Sequence, residues 1–476
     1  MIKIDTTLTP ADLRPAIDSL WEASATKILA IDEAFGPGSP TPVVTREGVY
    51  QPQGWTEWTQ GFQHGSAALQ FDATGDERFL NLARERTIQT MASHVSHIGV
   101  HDHGFNNVST YGNLLRLALE GRYDASDYEL EFCRMALMAS GAVQAARWSK
   151  TLDGGGYIYS FNGPQSLFVD TIRSCRSLAV AHLLGHALMG ERDEKISLFD
   201  RLVMHANATA KYSVFYGEDR DIYDVRGRTC HEALFNTNNG DFRAPSTQQG
   251  YSPFSTWTRG QAWAMCGYPE ELEFLAEVDD ADFEPHGGRE RVTQMMLRAA
   301  EACADYYINH TPTCGVPYWD AGAPGLAHMG DVNGRPAEPY NDHEPVDSSA
   351  AAIAAQGLLR LGMLPESLVP KADAQKYTQA GLTITRALLS QTYLSTDPAH
   401  QGLLLHTIYH RPRNWDHIPE GSKIPAHESS MWGDYHLREL ALLVQRMGES
   451  ARTPAFFHAA VPAEKSSAKM AKGAAS

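Results

Sequence analysis

The sequence is constrained most by twelve consecutive segments with helical spacing, which alternate between two compositions. Apolar residues recur three and four positions apart in each segment, whereas runs of alternating β-branched residues are few. Segments of one kind are rich in Gly, Ala, Ser and Trp and begin near residues 58, 108, 170, 257, 347 and 428. Segments of the other kind carry a charged face and begin near residues 11, 77, 127, 193, 290 and 373.

This alternation predicts a ring of helices inside a second ring. Small residues let helices pack closely, whereas a charged face needs water. We therefore expect an all-α (α/α)6 barrel, a single domain over residues 1–450, with residues 451–476 as a flexible tail because they are small and polar. A solenoid of helix pairs would give the same periodicity, but it would need polar caps at two exposed ends, so the closed ring is preferred.

Charge and cysteine usage limit the partners and the compartment. A formal net charge of −17 disfavours nucleic acid and anionic membranes as partners, because both bind basic surfaces. The apolar runs are shorter than the ~20 residues that span a bilayer, and the N-terminal residues lack the apolar core of a secretion signal. The six cysteines contain no Cys-x-x-Cys pair, as is typical of free thiols in a reducing compartment. We expect a cytoplasmic monomer or homodimer.

Chemically unusual residues precede or open the segments predicted as inner helices. They include Trp58, Asp102 within HDHGF, Asp170 and the stretch QGYSPFSTWTRGQAW. In a ring of helix pairs, such segments lie at one end and converge. Aromatic faces stack on sugar rings, and Gln, Arg and His side chains bind hydroxyl groups and carboxylates. The convergence predicts a carbohydrate-binding pocket.

Six stretches between residues 55 and 447 resemble the landmarks of glycoside hydrolase family 88, the unsaturated glucuronyl hydrolases. In order, they read WTQGF, HDHGF, QGYSPFSTWTRGQAW, GVPYWD, DSSAAAIAAQGLLRL and ESSMWGDY. Each stretch alone is a weak match, but WTRGQAW together with DSSAAAIAA and SSMWGDY is a specific combination. The resemblance implies an (α/α)6 barrel that works without a metal or another cofactor, in agreement with the helix count.

The resemblance also implies a substrate and a reaction. The substrate is a short oligosaccharide whose non-reducing end is a 4,5-unsaturated uronic acid left by a polysaccharide lyase. A general acid protonates C4, positive charge develops at C5 and the ring oxygen, and water adds at C5. The resulting hemiketal opens and expels the rest of the saccharide, so one carboxyl group can act first as the acid and then as the base.

Motif positions carry the site residues over to this chain. Asp170 matches the acid/base and Asp102 the second essential aspartate. To donate a proton near neutrality, Asp170 needs a pKa raised by burial and by another carboxylate, which Asp102 can supply. Arg259 is the preferred partner of the sugar carboxylate, because its planar guanidinium suits a bidentate pair. The expected substrate contacts are Trp58, His101, His231, Gln249, Trp257, Arg259 and Trp263.

The sequence also departs from the family pattern. The stretch TIRSCRS follows Asp170 where an asparagine-rich run is usual, and its arginines, Arg173 and Arg176, could suit a sulfate or an intact uronic acid. No single Trp before Asp170 matches the usual stacking residue. The candidates for that role are Trp148, Tyr157 and Tyr159. Residues 404–428 are too polar and aromatic for a helix, and we expect a loop over the rim that contacts either the second sugar or only solvent.

Other functions are open at this level. An exo-β-glucuronidase would use Asp102 and Asp170 as acid and base on opposite faces of a saturated uronate, with carboxyl groups roughly 6.5–9.5 Å apart. A polysaccharide lyase would need a Tyr/His base, and a helical-repeat binding module would not depend on Asp170. A metal grip by His101, Asp102 and His103 is disfavoured, because adjacent side chains rarely reach one ion and no third ligand is obvious.

Several of these residues also have a structural interpretation. Asp170 and Asp347 each stand where a helix N-cap is expected. Arg259 is equally well explained by a buried ion pair.

Overall fold

The computed structural model describes residues 1–53 and 57–461, which form a double ring of helices. Odd-numbered helices are outer and even-numbered helices are inner. In chain order they are α1 (Arg14–Ala34), α2 (Gln60–Thr74), α3 (Glu77–Thr90), α4 (His103–Asn106, a π-helical turn Val108–Gly112 and Asn113–Leu119), α5 (Asp127–Ala146), α6 (Thr171–Ser174 and Arg176–Leu183), α7 (Leu198–Tyr212), α8 (Thr258–Leu275), α9 (Arg289–His310), α10 (Ser348–Met363), α11 (Lys371–Leu388) and α12 (Met431–Gly448).

The inner helices close on themselves. Each of them contacts the next inner helix in sequence, and α12 contacts α2. Closure excludes the solenoid and confirms the (α/α)6 barrel, and every helix begins within five residues of its predicted start. The start predicted near residue 193 lies at Leu198, because residues Lys195–Ser197 form a strand and the Ser197 side chain caps the helix.

Small residues allow the inner ring to be this tight. All residues of α10 from Ser348 to Leu361 are buried. A Cβ atom on Gly357 would lie 2.1 Å from the carbonyl oxygen of Met265 in α8, and a Cβ on Gly104 would lie 2.1 Å from the carbonyl oxygen of Ser174. No larger residue fits at these two crossings, which explains the glycines in the inner segments.

Nine short strands lie in the connections between helices. They are β1 (Pro42–Arg46), β2 (Val49–Pro52), β3 (Trp148–Lys150), β4 (Gly156–Ile158), β5 (Ser166–Phe168), β6 (Ala187–Met189), β7 (Lys195–Ser197), β8 (Glu232–Phe235) and β9 (Phe242–Ser246). They pair antiparallel as β1–β2, β3–β4, β5–β8–β9 and β6–β7. The β5–β8 pair matters for function, because it continues as a hydrogen bond from Val169 N to His231 O (2.9 Å) and so places His231 beside Asp170.

Residues of the segment that follows α12 pack against the barrel. Residues Phe456–Ala459 form a short 3₁₀ helix, and the rings of Phe456 and Phe457 are buried against the ends of the inner helices α4 and α6. The prediction of a flexible tail is therefore wrong for residues 451–461, because two aromatic rings supply apolar surface to bury. Residues 462–476 lie outside the described residues.

Two further findings concern the length of the helices and the state of the cysteines. None of the helices in residues 1–53 and 57–461 is long and apolar enough to cross a membrane. All six cysteines are unpaired, and five of them are buried.

Candidate active site

A cleft of about 570 Å³ opens at the end of the barrel where the inner helices begin. Its aromatic lining consists of Trp58, Phe105, Phe161, Trp257, Trp263, Tyr409 and Trp415. Its polar lining consists of His101, Asp102, Asp170, Gln248, Gln249, Arg259 and His410. The structure thus brings together all the residues expected at the site except His231, which lies directly behind the lining.

Asp102 and Asp170 share one histidine. The Nε2 atom of His101 lies 3.3 Å from Oδ1 of Asp170 and 3.8 Å from Oδ1 of Asp102. Asp102 precedes α4 and Asp170 precedes α6, yet neither side chain accepts a hydrogen bond from its helix. The structure therefore does not support the capping interpretation of Asp170, and both carboxyl groups are available to the cleft.

His103 faces away from this cluster. Its Nδ1 atom lies 2.9 Å from Ser140 Oγ and its Nε2 atom lies 3.0 Å from the carbonyl oxygen of His97. Both ring nitrogens are therefore occupied by partners other than Asp102 and Asp170. Within the described part of the chain, no group of three His, Cys, Asp or Glu side chains is arranged to hold a metal ion.

The pKa values of the three clustered groups move in different directions. Burial raises the pKa of Asp102. The charge of His101 opposes this increase, and the repulsion of Asp170 adds to it. Burial also pushes up the pKa of Asp170, but the hydrogen bond and charge of His101 and the charge of Arg259 outweigh it, and the result is lowered. This direction is opposite to the raised pKa that was expected for Asp170. The hydrogen bond from His101 is the physical reason.

Arg259 is held in a buried ion pair. Its Nη1 atom donates to Asp347 Oδ2 (2.8 Å) and to the carbonyl oxygen of Ile408, and its Nη2 atom donates to the carbonyl oxygen of Tyr409 (2.7 Å) and to Gln249 Oε1 (3.1 Å). Both ends of the guanidinium fork are occupied. The structure supports the ion-pair interpretation of Arg259, and its contact with a sugar carboxylate stays a prediction.

His231 supports the cleft wall. Its Nδ1 atom accepts hydrogen bonds from the backbone N–H groups of Gln248 (2.9 Å) and Gln249 (3.3 Å). Its ring packs between Phe168 and Trp257. These contacts fix the segment that carries both glutamines, while the buried Nε2 atom has no hydrogen-bond partner among the described residues.

The tryptophans form two walls of the cleft. Trp58 stacks on Trp432 at 5.0 Å between ring centroids and donates from Nε1 to the hydroxyl group of Tyr409 (3.2 Å). Trp257 lies under the guanidinium of Arg259 (4.7 Å), and Trp263 packs on Phe105 (4.9 Å). Trp257 and Trp263 both line the cleft.

The three aromatic candidates for the additional stacking role all lie elsewhere. Tyr157 packs in a small second core with Phe235, Tyr159 lies under Arg147, and Trp148 lies under Arg201. Phe161, two residues beyond Tyr159, lines the cleft instead, with its ring 5.8 Å from that of His101. The turn after β4 sets which aromatic side chain points inward, and residue spacing alone does not reveal it.

Arg173 and Arg176 do not reach the cleft either. Arg173 is fully buried in ion pairs with Glu270 and Glu439, and Arg176 donates to the carbonyl oxygen of Gly104. Both belong to the charged interior of the barrel below the site. They are therefore not placed to bind a sulfate or a carboxylate of the substrate.

The segment 404–428 is a loop over the cleft, as expected. Tyr409, His410 and Trp415 line the cleft, and Asp416 accepts hydrogen bonds from the backbone N–H groups of Tyr409 and His410. Sequence reasoning missed Gln248, Phe105, Phe161 and Trp415. Only the position of Trp415 in the aromatic loop could have indicated it.

Comparisons with known proteins agree with this architecture. No protein-family model matches the chain. A curated unsaturated chondroitin disaccharide hydrolase of Streptococcus agalactiae is 27% identical over 91% of this chain and 91% of its own length. A curated unsaturated glucuronyl hydrolase of Formosa agariphila is 25% identical over 80% and 78%.

A solved structure shares the fold. The unsaturated glucuronyl hydrolase of Bacillus sp. GL1, described as responsible for the degradation of glycosaminoglycan, superposes with a TM-score of 0.66 at 23% identity and covers 90% of this chain and 96% of that one. The ordered motifs, the closed barrel and the curated relatives agree with one another. These similarities support the assignment of the chain to the unsaturated glucuronyl hydrolases, the family that its sequence motifs resemble.

Proposed function

We propose that the protein hydrolyses lyase-generated oligosaccharides by removing a 4,5-unsaturated uronic acid from the non-reducing end. One observation carries this proposal: two carboxyl groups share His101 at the base of an aromatic cleft. The aromatic walls suit the faces of a sugar ring, and the paired acids suit a reaction that first adds and then removes a proton.

In the proposed mechanism Asp170 is the acid/base. An entering uronate carries a like charge and displaces water, and both effects raise the pKa of Asp170. Because His101, Asp102 and Asp170 interact, their protons titrate as those of one unit, and the proton delivered to C4 is drawn from the cluster. The ionised Asp170 then accepts a proton from the water that adds at C5. Asp102 stabilises the positive charge that develops at C5 and the ring oxygen.

Absorbance tests the reaction class directly. The conjugated C4=C5 acid absorbs in the near ultraviolet, so incubation with an unsaturated disaccharide prepared from chondroitin should abolish that absorbance. Release of intact glucuronate from a saturated conjugate, with the unsaturated disaccharide unchanged, would overturn the proposal in favour of an exo-β-glucuronidase. A rise in absorbance from an intact polysaccharide would indicate a lyase.

We also propose that the enzyme works in the cytoplasm as a monomer or a homodimer. The six unpaired cysteines and the formal net charge of −17 support this proposal. A protein without disulfides should keep its melting temperature when dithiothreitol is added, and light scattering should give the mass of one or two chains. A marked loss of stability on reduction, or a larger assembly, would contradict these expectations.

A further inference from the structure

A separate cavity lies where the ring of inner helices closes. It has a volume of about 350 Å³ and is formed by the first and last inner helices, α2 and α12, and by the outer helices α1 and α3. Apolar side chains of these four helices make up about half of its lining. Its polar lining consists of Asp32, Gln63, His64, Ser66, Arg86 and Arg438. None of these six side chains lines the cleft that holds Asp102 and Asp170.

Three groups of this lining can carry positive charge, and two of them are accounted for. Arg86 donates to both carboxylate oxygens of Asp32, at 2.6 and 2.8 Å, so its charge is balanced. Burial lowers the pKa of His64 to about 3, so its ring is neutral near pH 7. The buried Nε2 atom of His64 has no hydrogen-bond partner among the described residues, but it adds no charge to the cavity. The third group is Arg438.

Arg438 is a buried guanidinium with unused donors. It is 1% exposed, its Nε atom donates to Ser24 Oγ (2.8 Å), and its Nη1 atom donates to Ser66 Oγ (3.2 Å). Its Nη2 atom has no hydrogen-bond partner within residues 1–53 and 57–461. A guanidinium carries five N–H groups, so three of them have no acceptor in this part of the chain. Buried polar groups are normally paired, and these donors therefore indicate a ligand that accepts hydrogen bonds.

The positive charge of Arg438 is also unbalanced. Asp434, one turn earlier in α12, forms no ion pair with it. The oxygens of Asp434 accept hydrogen bonds from the backbone N–H groups of Leu403 and Leu404 and from the hydroxyl group of Tyr50 instead. Burial lowers the pKa of Arg438, and the charge of Asp434 opposes this decrease without cancelling it. Arginine stays protonated in proteins, so a buried positive charge without a partner persists here.

We propose that this cavity binds a halide ion, chloride under physiological conditions, on the unused N–H groups of Arg438. A halide accepts several hydrogen bonds from one side and tolerates apolar side chains on the other. A single unbalanced positive charge suits a monovalent anion, and Asp32 in the same lining repels anions of higher charge. The site is independent of the proposed catalytic function.

The bound ion supports the closure of the barrel. Arg438 belongs to α12, Ser66 to α2 and Ser24 to α1, so the guanidinium joins the last inner helix to the first and to an outer helix. An ion that binds only the folded protein stabilises it increasingly as its concentration rises above the dissociation constant. Stability therefore depends on chloride itself and not only on ionic strength.

Thermal denaturation at constant ionic strength tests the site. Exchange of sodium methanesulfonate for sodium chloride should raise the melting temperature of the wild-type protein by about 2 °C, and bromide should act like chloride. Arg438→Met removes the charge but keeps a long side chain, so its melting temperature should be the same in both salts. The matched control is Arg134→Met, at an exposed pair with Glu131, which should keep the full chloride effect.

Bromide crystallography gives a readout that does not depend on the folding of a variant. Crystals of the wild-type protein grown with sodium bromide should show an anomalous-scattering peak within hydrogen-bond distance of the Arg438 guanidinium. No such peak, or a chloride effect of equal size in Arg438→Met, would overturn the proposal. Phosphate or acetate that stabilised the wild-type protein as much as chloride, but not Arg438→Met, would overturn the choice of a halide.

Discussion

His101 couples the two carboxyl groups on which the proposed reaction depends. It lies within 3.8 Å of both of them and is 2% exposed, so the protonation state of each group affects the pKa values of the other two. Sequence motifs were sufficient to find Asp102, Asp170 and His101. They could not give the direction of the pKa of Asp170, because that depends on which acid the histidine ring contacts more closely.

Replacing Asp170 should separate chemistry from binding. Asp170→Asn keeps the size of the side chain but removes the proton that is delivered, so kcat should fall by about 10²–10⁴-fold with KM changed only a few-fold. Steady-state kinetics on the unsaturated disaccharide measures both. Asp342→Asn is a matched control, because Asp342 forms an exposed pair with Lys423 away from the cleft. Full activity of Asp170→Asn would assign the acid role to another group.

The His101–Asp170 contact should also make stability depend on pH. Burial lowers the pKa of His101, but Asp102 and Asp170 outweigh it, so the folded-state value is raised. The stabilisation is therefore fully present below the unfolded-state value of about 6.5 and is lost as pH rises through the folded-state value. The pKa of Asp170 is lowered in the folded state. Its contribution to stability is therefore present above about pH 3.9 and is lost as the pH falls through its folded-state pKa.

This pH dependence of stability can be measured with a variant of His101. His101→Gln should lower the melting temperature more at pH 5.5, where both contributions are present, than at pH 9. Thermal denaturation of the variant and the wild-type protein at each pH measures the two decreases. An equal decrease at both pH values would mean that His101 stabilises the protein only by packing.

At the scale of secondary-structure elements, helices were predictable and their connections were not. Helical periodicity persists over fifteen or more residues in α2, α8 and α12, so each position adds to the signal. The strands are three to five residues long, too short for alternation to stand out. Phe161 lies in the turn after β4, and only the turn geometry decides that this ring, rather than that of Tyr159, faces the cleft.

The N-terminus of α10 joins the barrel to the rim loop. Asp347 caps α10 by accepting hydrogen bonds from the backbone N–H groups of Ser349 and Ala350, and it also pairs with Arg259. Arg259 in turn holds the carbonyl groups of Ile408 and Tyr409. One buried ion pair therefore fixes both a helix end and the loop that carries His410.

Breaking this ion pair should be costly. Asp347→Ala leaves the Arg259 charge buried without a partner and removes a cap, so the free energy of unfolding should fall by about 3–5 kcal/mol. Urea denaturation measures the change. Asp342→Ala removes an exposed partner of Lys423 and should cost no more than about 1 kcal/mol. Similar values for the two variants would show that the buried pair is not a structural support.

At the scale of the whole molecule, the double ring places the cluster of His101, Asp102 and Asp170 at one end and residues 451–461 at the other. Pro454 and Phe456 border a second, charged cavity with Arg360, whose Nη2 atom donates to the carbonyl oxygen of Pro454 (2.9 Å). The sequence indicated the ring correctly, because composition alternates along the chain. It did not indicate the packing of residues 451–461, the closing segment, because two phenylalanines in a polar stretch carry no periodicity.

Truncation tests how much the closing segment contributes. Ending the chain after Ser450 removes the buried rings of Phe456 and Phe457, each worth about 1.5–3 kcal/mol when fully buried, so the free energy of unfolding should fall by several kcal/mol. Ending it after residue 461 should leave stability unchanged if the tail prediction holds for the remaining residues. Denaturant titration of the two truncated proteins compares them. No loss on removal of residues 451–461 would contradict a supporting role.

The most direct measurement of the central claim follows the substrate carbon that receives the proton. Proton NMR of the wild-type reaction in heavy water, at early times and with an unsaturated disaccharide, reports both the C4=C5 bond and deuterium at C4. We expect this double bond to disappear at the same rate as the second sugar is released, and C4 to gain one deuteron on a single face. Release of the second sugar with the C4=C5 bond still intact, or deuterium spread over both faces of C4, would contradict the proposed hydration.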